Sequence, residues 1–246
     1  MNKKFIIGNW KMNPSSKEEA KQLFSKIRKK LKNLKKKNLE IAICPPFVYL
    51  SLFKNKSILS LGAQDVFWEE KGAFTGEISP LMLKDLGCKF VIIGHSERRK
   101  LGETNEMIRK KIEAARKFNL MPILCIGSEE KDRRLERKDL LKQLKEVLKK
   151  IKRIPKIIFA YEPVWAIGTG KAADPLETNE LIKELKDFLK LKFSIPNPIF
   201  LYGGSVNSTN AISFISKEQI EGLLIGGASL KPEEFIKIIR QIVHAN

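Results

Sequence analysis

IIFAYEPVWAIGTGK, residues 157–171, contains in order an apolar segment, a carboxylate and a loop with two glycines. The apolar and aromatic run 157–161 predicts a short buried strand, and Glu162 stands where that strand should end. The loop that follows is apolar in its middle and carries Gly168 and Gly170 near its far end. Such a loop can exclude water, while its glycines bring backbone N–H groups close to an anion. The stretch therefore indicates a base beneath a hinged cover, although on its own it also fits a solvated glutamate before an ordinary turn.

Part of this loop also resembles two nucleotide-binding motifs. Residues 168–173, GTGKAA, fit the loose dinucleotide fingerprint, but that motif requires a strand that leads directly into its first glycine. Here Glu162 and most of the loop intervene. Ala172 stands where a P-loop requires a magnesium-binding Ser or Thr. Both nucleotide-binding motifs are therefore excluded.

The composition is that of a soluble globular protein. The chain has 246 residues, of which 43% are hydrophobic and 30% are charged. It contains no linker, so we predict a single domain over residues 1–246. No stretch approaches the ~20 apolar residues of a membrane span, and the first apolar run is too short for a signal peptide. We therefore expect no association with a membrane.

Cysteine and histidine are scarce, which restricts redox and metal chemistry. Cys44, Cys88 and Cys125 are well separated and lie in or beside apolar runs, so we expect free thiols and a cytoplasmic location. His95 and His244 are the two histidines of the chain, too few for an ordinary zinc site. We expect neither a metal nor a cofactor.

The chain is strongly basic, with a formal net charge of +19. Its densest basic runs, residues 26–37 and 142–153, keep Leu and Ile at helical spacing and lack the exposed aromatic residues of a nucleic-acid stacking platform. Solvated helix faces explain this pattern better than a nucleic-acid partner does. The positive field would still attract small anions.

Eight short apolar segments alternate with helical patterns along the chain. Strands are predicted at residues 5–10, 39–44, 58–63, 89–93, 120–126, 157–161, 199–202 and 222–225. Ser15 and Ser16 open one predicted helix, and Asp174 with Pro175 opens another. Eight buried parallel strands in roughly 250 residues fit a closed barrel better than an open doubly wound sheet. We predict an α/β fold, the closed (β/α)8 TIM barrel.

In such a barrel the carboxyl ends of all strands form one mouth. The residues at these ends supply a carboxylate, an imidazole, a cation and clusters of small residues with free backbone N–H groups. They are Asn9, Lys11, His95, Glu162, residues 203–205, Gly226 and Gly227, with Gly168 added by the cover. Glycine-rich backbone at strand ends is suited to binding a phosphate group. Each residue alone has an ordinary structural interpretation, and only their joint placement indicates a site.

A carboxylate and an imidazole without a nucleophilic Ser or Cys indicate proton abstraction next to a carbonyl. Glu162 would take the proton from carbon, and neutral His95 would polarise the carbonyl and move protons between two oxygens. Lys11 would attract the phosphate dianion and offset oxyanion charge, with Glu97 holding it in place. This chemistry is the aldose–ketose isomerisation of a small phosphorylated sugar.

Several segments, in order and along the whole chain, resemble the triosephosphate isomerases. They are GNWKMN at 8–13, GAFTGEIS at 72–79, GHSERR at 94–99, AYEPVWAIGTGK at 160–171, YGGSV at 202–206 and GGASLKP at 226–232. The resemblance implies interconversion of dihydroxyacetone phosphate and glyceraldehyde 3-phosphate, in glycolysis and gluconeogenesis, without a cofactor. It also implies the site residues: Asn9 and Lys11 to bind substrate, His95 as electrophile, Glu162 as base, Glu97 to assist, and Gly168, Ser205, Gly226 and Gly227 to bind the phosphate.

The resemblance further implies a homodimer in which loop 64–77 enters the partner, with Thr75 near the partner's active site. Phe67, Trp68 and Phe74 give this loop a large apolar content for a solvent-exposed segment, which favours the same conclusion. One departure from the family pattern is Ser128, which stands where the family commonly has Glu. The high net charge is another.

Two alternatives remain open at this point. Another metal-free phosphosugar isomerase or epimerase could use the same barrel. A basic nucleic-acid-binding protein would instead bind with a steep dependence on salt and without dependence on Glu162.

Overall fold

The computed structural model describes residues 3–32, 34, 38–53, 58–151, 154, 156–168 and 170–245. Its centre is a closed barrel of eight parallel strands in sequence order, in which the first strand pairs with the last. The strands are β1 (Lys4–Asn9), β2 (Leu39–Cys44), β3 (Ser60–Ala63), β4 (Cys88–Ile93), β5 (Met121–Ser128), β6 (Ile158–Pro163), β7 (Ile199–Tyr202) and β8 (Gly222–Ile225). The predicted (β/α)8 barrel is confirmed.

Helices surround the barrel. Those of the described residues are α1 (Lys17–Leu31), α2 (Phe47–Leu50), α3 (Pro80–Asp85), α4 (Ser96–Lys100), α5 (Asn105–Lys117), α6 (Arg133–Leu148), α7 (Pro175–Phe193), α8 (Ala211–Ile215) and α9 (Pro232–His244). Short 3-10 turns at Val164–Ala166 and Gly227–Leu230 follow β6 and β8. None of the helices in the described ranges is long and apolar enough to cross a membrane.

Two of the predicted helix starts have the expected caps. The Ser16 hydroxyl accepts the Glu19 N–H at 3.2 Å, and this fixes the start of α1. Asp174 accepts the N–H groups of Leu176 and Glu177 at 2.8 and 2.9 Å. Caps of this kind each contribute about 0.5–2 kcal/mol to stability. At α7 the cap also fixes where the loop after β6 must end.

Alternate residues of each strand belong to two different cores, because successive side chains point to opposite faces of the sheet. The barrel interior holds Phe5, Ile7, Ala42, Cys44, Phe90, Ile92, Ile123, Cys125, Ile158, Ala160, Leu201 and Leu224. Their neighbours along the strands, such as Ile6, Ile43, Val91 and Phe159, pack against the helices. The strands are therefore apolar on both faces, as the sequence indicated.

The ends of β5 and β6 differ from the prediction. Each strand extends two residues beyond its expected end, because Gly127 pairs with Glu162 and Ser128 with Pro163. A Cβ atom at Gly127 would lie 2.4 Å from the Glu162 carbonyl oxygen, so only glycine allows this pairing. The expectation that Glu162 follows its strand was wrong. It lies within β6, where sheet hydrogen bonds hold its backbone.

Candidate active site

The carboxyl ends of the strands surround a cavity of about 400 Å³, a volume suited to a small ligand. Seven of the nine residues predicted for the site lie on its wall: Asn9, Lys11, His95, Gly168, Ser205, Gly226 and Gly227. The other two, Glu97 and Glu162, contact wall residues from outside it. Elements far apart in the sequence thus bring all nine side chains or backbones to one place.

Lys11 reaches the cavity from a left-handed backbone conformation, with φ of 52°. Its N–H donates to Asn9 Oδ1 at 3.0 Å, and its carbonyl accepts the side-chain amide of Gln64 at 2.8 Å. The same Gln64 amide donates to the Cys44 carbonyl at 2.8 Å. The Lys11 ammonium lies 2.5 Å from Glu97 Oε1, the contact that the sequence predicted for this pair.

His95 is buried at the start of α4, directly after Gly94, whose φ of 74° turns the chain out of β4. Its Nδ1 atom accepts the Glu97 backbone N–H at 3.2 Å. A nitrogen that accepts a hydrogen bond carries no proton, so this contact favours the neutral ring with its proton on Nε2. Nε2 lies 3.1 Å from Glu162 Oε1.

Glu162 is buried beside the cavity, not on its wall, with 1% of its surface exposed. Its Oε2 atom accepts the Ser96 backbone N–H at 2.8 Å. Its Oε1 atom is close to His95 Nε2, but that N–H is not directed at it, and Oε1 has no hydrogen bond among the described residues. Gly203, on the cavity wall, lies against Glu162, since an added Cβ atom there would be 3.1 Å from Glu162 Cγ.

Small residues form a further part of the cavity wall. Gly226 lies under the Lys11 side chain, where an added Cβ atom would be 3.2 Å from Lys11 Cε. A Cβ atom at Gly227 would meet nothing within 4 Å, so its backbone faces open space. Gly168 has φ of 74°, a conformation that favours glycine. These features leave backbone N–H groups accessible to an anion.

The loop after β6 is tied to the end of β7 at both of its ends. At its start, the Ser205 hydroxyl donates to the Ala166 carbonyl at 2.7 Å. At its far end, the Ala173 N–H donates to the Tyr202 hydroxyl at 3.0 Å, and burial raises the pKa of Tyr202 to about 12. We call the described residues of this loop, 164–168, 170 and 171, the lid.

The sequence model of the triosephosphate isomerase family matches residues 4–242. The chain belongs to the triosephosphate isomerase family. A triosephosphate isomerase from Dictyoglomus thermophilum is 44% identical over 98% of this chain and 100% of its own length. One from Dehalococcoides mccartyi strain CBDB1 is 47% identical over 96% of this chain and 95% of its own, and one from Alkaliphilus oremlandii is 42% identical over 97% and 99%.

Ser128, which differs from the residue usual in triosephosphate isomerases, has a structural role of its own. The Ser128 hydroxyl donates to Asp139 Oδ2 at 2.9 Å and accepts the Glu130 N–H at 3.2 Å. Ser128 therefore fastens the end of β5 to helix α6.

Sequence reasoning missed several residues of this triosephosphate isomerase site. Gln64 was assigned only to a loop, although its amide fixes the Lys11 backbone. Ser96 contributes only a backbone N–H, and Lys231 adds a second cation to the cavity wall. Gln64 directly follows β3, so its strand-end position would have placed it at the mouth, but not shown that its amide binds Lys11.

No three His, Cys, Asp or Glu side chains in the described part of the chain are grouped to bind a metal ion. The three cysteines are buried free thiols, as expected. Burial raises the pKa of the Cys125 thiol well above its ordinary value, so this group beside Glu162 stays protonated.

Proposed function

We propose that this chain interconverts dihydroxyacetone phosphate and D-glyceraldehyde 3-phosphate through an enediolate, without a cofactor. Membership of the triosephosphate isomerase family supports this activity. The observation that carries the mechanism is the grouping of a buried carboxylate, an imidazole and an ammonium group around one cavity. Glu162 Oε1 lies 3.1 Å from His95 Nε2, and Lys11 and the glycine backbone line the same cavity.

Glu162 acts as the base that moves a proton between the two carbons of the substrate. In this structure its carboxylate is held by the Ser96 N–H. If the Glu162 carboxylate moves away from the Ser96 N–H, it loses one charge-assisted hydrogen bond, which costs on the order of 1.5–3 kcal/mol. A substrate C–H within reach of the carboxylate, in a site closed to water, would offset this cost.

His95 acts as the neutral electrophile. With Nδ1 occupied by the Glu97 N–H, the proton on Nε2 is available to the substrate carbonyl. The same atom can pass protons between the two substrate oxygens as the enediolate forms and collapses. The arrangement therefore assigns base and electrophile to adjacent side chains.

Lys11 and Asn9 orient the substrate, and the glycines, of which Gly226 lies against the Lys11 side chain, bind its phosphate. Glu97 holds the Lys11 ammonium group at 2.5 Å. Gly168, Ser205, Gly226 and Gly227 offer backbone N–H donors to the phosphate. Fixing the phosphate here positions the reacting carbons near Glu162.

We further propose a homodimer through residues 64–77, with Thr75 directed toward the partner's site. In support, the Phe67 ring packs against the tilted rings of Trp68 and Phe74, with centroids 4.1 and 4.8 Å apart, and 44% of Phe74 is exposed. The base of this loop is rigid, because Asp65 binds buried Lys111 at 2.7 Å. A preformed apolar protrusion suits insertion into a second copy.

The cellular setting stays a prediction drawn from the family resemblance and the cysteines. We place the chain in the cytoplasm, as an enzyme of glycolysis and gluconeogenesis. The buried free thiols are compatible with a reducing compartment.

A coupled assay of triose phosphate interconversion tests the proposal. Glu162→Asp withdraws the carboxylate by one methylene, so we expect kcat to fall about a hundredfold or more with little change in KM. Glu129→Asp, an exposed glutamate near the same edge of the barrel, is the control and should match the wild type. Full activity in Glu162→Ala would refute the role of this base, and a preference for another phosphosugar would favour the alternative isomerase.

A further inference from the structure

The loop after β7, residues 203–210, brings small residues to the cavity wall and is folded by its own asparagines. We call it the β7 loop. The Asn207 side-chain oxygen accepts the N–H groups of Thr209 and Asn210 at 2.8 and 3.2 Å. In return, Asn210 Oδ1 accepts the Asn207 N–H at 2.9 Å, and Asn210 Nδ2 donates to the Ser205 carbonyl at 3.1 Å. The backbone at Ser205 is therefore tied to the second half of the loop.

A carboxylate of helix α9 holds that second half of the β7 loop. Glu234 accepts the Ser208 N–H at 2.6 Å with Oε1 and the Ser208 hydroxyl at 3.2 Å with Oε2. Ser208 is itself buried, with 7% of its surface exposed. Helix α9 is fixed against the barrel by five buried side chains, those of Phe235, Ile236, Ile238, Ile239 and Ile242. The contact thus joins the loop to a well-packed helix.

Glu234 also lines the cavity, where its negative charge is by itself unfavourable for an anionic ligand. A carboxylate near a bound phosphate repels the dianion. If residue 234 served only to attract the ligand, a neutral or basic side chain would serve better. Both oxygens of Glu234 are instead bound to Ser208. The loop, and not the ligand, therefore explains why an acidic group stands here.

We propose that Glu234 is a positioning residue for the phosphate of the substrate. By binding Ser208 it fixes the β7 loop, and Asn210 carries this constraint to the backbone of Ser205, whose N–H is one of the proposed phosphate donors. Glu234 acts through the loop and does not itself contact the phosphate. The inference rests on the proposed isomerase function, because it takes the bound anion to be the phosphate of a triose phosphate.

The first test compares two replacements of Glu234 in the full chain. Glu234→Leu removes both contacts with Ser208, whereas Glu234→Gln keeps an oxygen for the N–H and an N–H group for the hydroxyl. We expect Glu234→Leu to raise KM for both triose phosphates about tenfold and to change kcat less than about twofold, because phosphate binding is weakened and the reacting groups are not. Glu234→Gln should restore both constants to within about twofold of the wild type.

Glu233→Leu is the matched control. Glu233 directly precedes Glu234 in α9, but it binds Lys30 of α1 at 2.7 Å. Its replacement removes the same charge from the same turn of the helix and should leave the β7 loop in place. We therefore expect no increase in KM.

Binding of inorganic phosphate, measured by titration calorimetry at constant ionic strength, separates positioning from a merely structural role and needs no turnover. We expect Glu234→Leu to weaken this binding about tenfold. Loss of a negative charge alone would instead strengthen it. Ser208→Ala removes only the hydroxyl contact, so it should weaken binding about threefold and have no further effect when combined with Glu234→Leu.

The outcomes distinguish the inference from the proposed function. A wild type that binds phosphate but does not interconvert triose phosphates refutes the proposed function, and the titrations still test Glu234. Unchanged or tighter phosphate binding in Glu234→Leu overturns the inference, and so does an equal loss in Glu233→Leu or in Glu234→Gln. If Glu234→Leu does not fold, Ser208→Ala provides the same test with a smaller expected effect.

Discussion

Lys11 carries its ammonium group into the cavity from a backbone conformation that lysine rarely adopts. A non-glycine residue with positive φ costs on the order of 1–3 kcal/mol unless its surroundings hold it. Here Asn9 and Gln64 bind the N–H and the carbonyl of Lys11, on either side of the strained torsion. These two hydrogen bonds hold the Lys11 backbone at its positive φ, and this conformation directs the ammonium group into the cavity.

Replacing Gln64 by Leu should release this backbone. Without the amide donor, the Lys11 carbonyl loses its hydrogen bond and the residue can relax toward negative φ. We expect kcat/KM to fall about tenfold or more, since a small displacement of a charged group weakens its contact with the substrate. Steady-state kinetics measure this effect.

Gln22→Leu, an exposed glutamine on α1, is the matched control and should change neither kcat nor KM. Unchanged kinetics in Gln64→Leu would show that Lys11 keeps its conformation without the amide.

At this scale the residue types of the site were predictable, but their supports were not. Asn9, Lys11, His95 and Glu162 stand at strand ends, and a barrel must bring strand ends together. Gln64 acts through a contact with Lys11, 53 residues away, that depends on the direction of its side chain. A sequence pattern does not specify that direction.

Strands and helices were predictable to within a few residues, because their apolar periodicity is strong. The predictions 39–44, 199–202 and 222–225 coincide with β2, β7 and β8. The prediction for β5 ended too early, at residue 126, directly before Gly127. Because Gly127 has no Cβ atom, β5 can instead continue and pair with Glu162 of β6. This pairing involves two strands, so the sequence of one strand does not predict it.

The lid depends on glycine at position 168. Gly168 has φ of 74° and open space around it, so a side chain there would be strained by the backbone and not by a clash. We expect Gly168→Val to lower kcat about tenfold to a hundredfold, because the strain opposes the lid conformation and the side chain crowds the phosphate. Kinetics with both triose phosphates measure this effect.

Gly102→Val is the control for strain alone. Gly102 has φ of 97° and equally open surroundings, but it does not line the cavity. The two variants should lose similar stability, and only Gly168→Val should lose activity. Equal kinetics in the two variants would show that the lid tolerates a side chain at this position.

Over the whole molecule, the dominant feature is the net charge of +19. The lysines and arginines lie mainly on the outer faces of helices, where some form ion pairs such as Lys30 with Glu233 at 2.7 Å. The remaining excess does not affect the choice of fold, which follows from the apolar pattern. It does affect association, because two such chains must approach each other.

The proposed dimer should therefore tighten as salt rises from very low concentration. The Debye length falls from about 30 Å at 0.01 M to about 10 Å at 0.1 M, so salt screens the repulsion between two subunits that each carry +19. We expect loop 64–77 to bind the partner subunit chiefly by apolar contact, which salt does not weaken. Sedimentation between these two salt concentrations should show a falling dimer dissociation constant.

Phe74→Ala should weaken the dimer at every salt concentration without changing how steeply the dissociation constant depends on salt, because it removes apolar contact and no charge. Dissociation on adding salt would mean that attractive ion pairs, and not the aromatic loop, hold the subunits together.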